Sequence, residues 1–154
     1  QLLLLDEPTA GVDPKARREF WNEIHALAAR GLTALVSTHY MDEAERCHEI
    51  AYIAYGDLLA HGTVQDVIRN ANLTTLSVSG DHLVQLASDL EKLDGIDTVA
   101  PFGASLHVSG HDRAALENAV APYRNDPALR WSEIDASLED VFIGLMSKAK
   151  DNVQ

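Results

Sequence analysis

Residues 1–14 read QLLLLDEPTAGVDP, and the fold turns on how that stretch is understood. Four leucines at 2–5 run straight into Asp6, Glu7 and Pro8, with Gly11 close behind. An apolar run this short, bounded by turn formers, predicts a strand buried on both faces, the kind found in parallel sheets. In open α/β sheets ligands bind just beyond the carboxyl ends of the strands, so Asp6 and Glu7 stand at the edge of a candidate site.

Working outward, TAGVDP supplies a glycine turn and then Asp13 as a helix N-cap, with Pro14 at the first helical position. Phe20, Ile24, Leu27 and Ala28 follow at one helical face, and Gly31 is placed to end the helix. LTALVST is a second strand. A strand, a helical crossover and a strand predict a parallel pair with both carboxyl ends on one edge. His39 follows the second strand as Asp6 and Glu7 follow the first, so the topology brings residues more than thirty positions apart to one place.

Downstream, 41–47 is expected as a short helix, EIAYIAYGDLLAHG as two strands joined near Gly56 and Asp57, and VQDVIRN as a helix. The composition then shifts, and we expect a domain boundary near residue 72. Beyond it come a strand at 74–80, a helix at 82–93, a hairpin from IDTVAPFG and SLHVSG, a helix at 112–120, a strand at 129–134 and a helix from 138 to 148. The order βαββαβ plus a helix predicts a small α+β sandwich of ferredoxin-like type.

The chain has 154 residues and a formal charge of -12, from 24 acidic against 12 basic side chains. Such a charge repels phosphate backbones and argues against nucleic acid as a partner. One cysteine, Cys47, permits no internal disulfide. No apolar run approaches the roughly 18 residues of a membrane span. A core strand opening at residue 2, after Gln1, leads us to expect a preceding portion that pairs with and covers it. Lys15, Arg17 and Arg18, and likewise Asp42, Glu43, Glu45 and Arg46, are expected on solvated helix faces. His25, His48, His61 and Cys47 match no closed zinc spacing, and Trp21 and Trp131 are expected to pack.

Alone, LLLLDEP is equally a core strand with acidic residues at its exposed end. LLLLDEPTAGVDP followed by a crossover and then LVSTHYMDEAE resembles the Walker B, D-loop and H-loop succession of ABC-type ATPases, over residues 1 to about 70. The resemblance implies the C-terminal part of a P-loop NTPase core of α/β class over 1–72, and the composition shift and element order set off an accessory α+β domain over 73–154. It also implies ATP and Mg²⁺ as cofactors. Phosphoryl transfer to water needs charge neutralisation and a positioned water. On this resemblance Asp6 holds Mg²⁺ or one of its waters, Glu7 is the general base, and His39 is the switch histidine on the γ-phosphate. Asp13, besides capping its helix, would reach across a dimer as the D-loop aspartate.

No G-x-x-x-x-G-K-[ST] phosphate loop and no LSGGQ-type signature occurs in these 154 residues. Both lie upstream of the leucine strand in the family, so the chain is expected to be a C-terminal fragment, inactive alone. AHGTVQDVI at the junction and SLEDVFIGLM near the end resemble ATP-binding subunits of ABC-2-type exporters. That implies a separate transmembrane permease and a second ATP-binding subunit as partners, and a position on the cytoplasmic face of the membrane reached through the permease. Two alternatives stay open: a degenerate or regulatory relative that binds partners without hydrolysis, and a non-transport ABC ATPase.

Overall fold

A computed structural model describes residues 1–151, with side chains through residue 147. The chain separates into two compact units, Gln1–His48 and Glu49–Gln154. The composition change near residue 72 lies inside the second.

In the first unit β1 (Leu2–Asp6) pairs in parallel with β2 (Thr33–Ser37), with Leu4 opposite Leu35 and Asp6 opposite Ser37. The crossover is α1 (Pro14–Ala29). Asp13 caps it as expected, its Oδ1 accepting from Lys15 N at 3.0 Å and Ala16 N at 3.1 Å, while Pro14 sits where a missing N–H costs nothing. Gly31, at φ +91°, turns the chain back into β2. Trp21 and Ile24 are buried along α1. After β2 comes one turn of helix, α2 (Met41–Ala44), shorter than the expected 41–47.

The leucine run departs from expectation in one respect. It is not buried on both faces: Leu2, Leu4 and Leu35 are exposed, at 62%, 64% and 65%. The burial of β1 and β2 alternates residue by residue, and nothing among the described residues covers the second face. An apolar run records that a face is suited to burial, not that the same chain buries it.

The second unit opens with an antiparallel hairpin, β3 (Ile50–Ala54) and β4 (Asp57–Gly62). Tyr55 and Gly56, both at positive φ, form its two-residue turn. Then α3 (Val64–Ala71) starts at Thr63, which bonds reciprocally with Asp66. β5 (Thr74–Gly80), α4 (Leu83–Leu90), β6 (Thr98–Phe102), β7 (Ser105–Gly110), α5 (Arg113–Arg124) and β8 (Leu129–Ile134) follow, and α6 (Leu138–Asp151) closes the chain. The four strands form one antiparallel sheet in the order β6-β7-β5-β8. Leu76, Val78, Leu106 and Val108 of the sheet pack with Leu86, Leu90, Leu116 and Val120 of α4 and α5. On the opposite face His107 meets Asp140 of α6 at 2.9 Å, and Phe102 stacks on its imidazole at 3.9 Å. Asp140 also accepts from Ser137 N and Oγ, which fixes the start of α6.

Candidate active site

The parallel pairing of β1 with β2 brings the loops that follow them side by side. Asp6, the last residue of β1, accepts a short hydrogen bond from Ser37 Oγ, the last residue of β2. The Glu7 amide donates back to Ser37 O at 3.0 Å and Ser37 Oγ at 3.2 Å. These bonds hold Glu7 at φ +43°, a left-handed conformation that side-chain-bearing residues adopt at a cost. His39, two residues beyond β2, places Nδ1 3.3 Å from Glu7 Oε1. Both side chains are at least half exposed, at 59% for His39 and 50% for Glu7, so the pair is open to an incoming ligand.

Of the four residues singled out from sequence, the structure thus brings Asp6, Glu7 and His39 to one edge. Asp13 is placed apart in role: its hydrogen bonds are those of the α1 cap.

Beneath the two loops lies a group whose role sequence reasoning missed. Glu43, expected on a solvated face, is fully buried. Its Oε1 accepts from Thr9 Oγ1 at 2.5 Å and its Oε2 from Thr38 Oγ1 at 2.7 Å. Arg17 leaves the expected solvated stripe of α1 too: its Nε lies 3.4 Å from Glu43 Oε1 as an ion pair without hydrogen-bond geometry, and its guanidinium sits 4.3 Å over the Tyr40 ring. Burial alone would raise the Glu43 carboxyl pKa. The bonds from Thr9 and Thr38, an indole N–H of Trp21 that falls short of normal hydrogen-bond geometry, and the Arg17 charge outweigh it and hold the carboxyl below its ordinary value. Nearby, burial and then the Glu43 charge push the Cys47 thiol above its ordinary value, which keeps it in the unreactive protonated form. No sequence period exposes Glu43, because a four-residue helix has too few positions to define a face.

No family model matches the chain. Curated relatives do. Over 153 residues the chain is 34% identical to Nod factor export ATP-binding protein I of Burkholderia pseudomallei (strain K96243), covering 96% of this chain and 47% of that protein. Its namesake in Ralstonia nicotianae is 36% identical over 155 residues, with the same coverage. A 66-residue stretch is 52% identical to the probable multidrug ABC transporter ATP-binding protein YbhF of Escherichia coli (strain K12), covering 43% of this chain and 11% of that protein. The chain's homologues are ABC transporter ATP-binding proteins. It spans about half the length of the Nod factor export relatives it matches. Among the described residues no helix is long and apolar enough to cross a membrane.

Proposed function

We propose that this chain contributes the hydrolytic edge of the ATP-binding subunit of an ABC-type exporter, with Glu7 as general base and His39 as the γ-phosphate contact. The observation that carries the reading is the 3.3 Å approach of His39 Nδ1 to Glu7 Oε1 at the shared carboxyl edge of β1 and β2. A carboxylate there takes a proton from an attacking water, and the neighbouring imidazole orients carboxylate, water and phosphate. The sharp turn at Glu7 supports separate duties for adjacent carboxylates. Asp6 stays level with Ser37 at the strand end, while Glu7 turns off toward His39.

Asp6 suits Mg²⁺ by chemistry: it offers a hard oxygen, and the Ser37 hydroxyl engages Oδ1, leaving Oδ2 for a cation or its water. Mg²⁺ would supply charge neutralisation at the phosphates. Asp13 in this reading keeps its cap and also faces a second ATP-binding subunit. The partners are that subunit and an ABC-2-type transmembrane permease, so the protein works on the cytoplasmic face of the membrane. We read residues 73–154 as a ferredoxin-like accessory domain, a proposal supported by the β5-α4-β6-β7-α5-β8 order and the β6-β7-β5-β8 sheet.

The test is ATP turnover by the full-length gene product carrying Glu7→Gln, His39→Ala or Asp6→Asn. His39→Ala should cost on the order of 10²–10³-fold, as loss of one preorganised donor does elsewhere. Asp6→Asn should raise the Mg²⁺ concentration needed for nucleotide binding. Turnover within twofold of the parent for His39→Ala would leave it an ordinary loop residue.

A further inference from the structure

We propose that Glu43 is a positioning residue, a buried clamp that holds the loop after β1 and the loop after β2 together so that Glu7 and His39 meet; the inference rests on the site proposed above. A carboxylate with no exposed surface is costly unless hydrogen bonds and a counter-charge satisfy it. Here each oxygen serves a different loop. Oε1 takes the hydroxyl of Thr9, two residues past Glu7, and Oε2 takes that of Thr38, the residue before His39. The Thr38 hydroxyl oxygen in turn accepts from the Tyr40 amide at 3.1 Å, so the chain on both sides of His39 is held. Arg17 completes the group from α1, lying against Glu43 on one side and over the Tyr40 ring on the other. Tyr40 packs against the His39 ring at 4.2 Å between centroids.

No other side chain reproduces this. Glutamine offers one acceptor and one donor, so one threonine must reverse its hydrogen bond, and the Arg17 charge loses its partner. Aspartate keeps the charge but lacks the reach to satisfy both hydroxyls. An apolar residue fills the space and strands both threonines and the arginine. Because the loops are joined through one small group, the two threonine contacts should act as a unit rather than add.

The test uses the full-length gene product and two readouts. In steady-state hydrolysis, Glu43→Gln should lower kcat by about 10–10²-fold while KM for ATP stays within about threefold, the signature of misplaced catalytic groups. In amide hydrogen exchange, residues 7–13 and 38–41 should exchange faster, while the α1 amides around Trp21 and Ile24 stay as protected as in the parent. Thr9→Val and Thr38→Val leave the carboxylate in place and remove one tether each; their double variant should lose no more activity than Glu43→Gln. If Glu43→Gln fails to fold, the valine pair carries the test alone, and full activity of that double variant overturns the clamp. So does unchanged exchange in both loops, or a loss of protection spread evenly through α1. Parental turnover by Glu7→Gln and His39→Ala would defeat the proposed chemistry instead, with loop exchange in Glu43→Gln still deciding whether the tether exists.

Discussion

Glu7 should be a position where function is held against backbone strain, and replacing it by glycine should expose that. Its φ of +43° costs a residue with a Cβ about 1–2 kcal/mol, and glycine escapes this. Glycine gives back about 0.5–1 kcal/mol through its greater freedom in the unfolded chain. The contact with His39 is made by two half-exposed side chains and is worth about 0–1 kcal/mol after solvent screening. Glu7→Ala loses that contact and keeps the strain; Glu7→Gly loses it and relieves the strain. The glycine variant should therefore be about 0.5–1 kcal/mol more stable than the alanine variant, although both lack the carboxylate. The chain has two tryptophans, Trp21 in the first unit and Trp131 in the second. In a Trp131→Phe background, Trp21 fluorescence during urea unfolding reports the first unit alone. Should the alanine variant equal or exceed the glycine variant in stability, the strain argument at Glu7 is refuted.

Two further outcomes follow from the same structure. The Glu43 carboxyl lies below its ordinary value of 4.5, so the stability it contributes is fully present above about that pH and is lost as pH falls through its folded-state value. The urea midpoint followed by Trp21 should then fall on acidification more steeply in the parent than in Glu43→Gln, and a gap that stays constant from neutral pH to pH ~3 would contradict the buried carboxylate's role. Residues 73–154 hold the whole β5–β8 core and should unfold cooperatively on their own. They should do so at a lower midpoint than 49–154, which retains the Tyr52–Phe142 ring stack at 4.0 Å and buried Val67; a non-cooperative melt of 73–154 would count against a boundary near residue 72.

How much of this was legible in the sequence depends on whether the signal was local. Asp13-Pro14 and Thr63 with Asp66 announce their helices because a cap is satisfied within a few residues of itself. The parallel pairing of β1 and β2 was legible from the strand, helix, strand order, since a helical crossover permits little else. That pairing puts Glu7 and His39 on one edge. The left-handed turn at Glu7 was not legible, because it is imposed by the Ser37 carbonyl and hydroxyl on another strand. Glu43 and Arg17 were misjudged for the same reason: a charged residue on a helix looks solvated unless its partners, here thirty-four and twenty-six positions away, are known. The open face of Leu2, Leu4 and Leu35 agrees with the expected preceding portion, although apolar character alone does not say which element covers it. From residue 74 on, β5 falls where alternation put it and β8 at the expected 129–134. The helix expected at 82–93 is instead Leu83–Leu90: His82, at φ +56°, starts it one residue later, and it ends with Glu91 as C-cap; α5 runs through Pro122 to Arg124.

The most direct test of the central claim is the fate of nucleotide bound to Glu7→Gln in the full-length gene product. The variant is incubated with Mg-ATP labelled in the adenine and in the γ-phosphate, passed rapidly through a desalting column, and the retained nucleotide is resolved. With Glu7 as the general base, the variant retains uncleaved ATP, both labels in equal amount, on a dimer that persists. Release of γ-phosphate at the parental rate, leaving only the adenine label as ADP, would contradict the account.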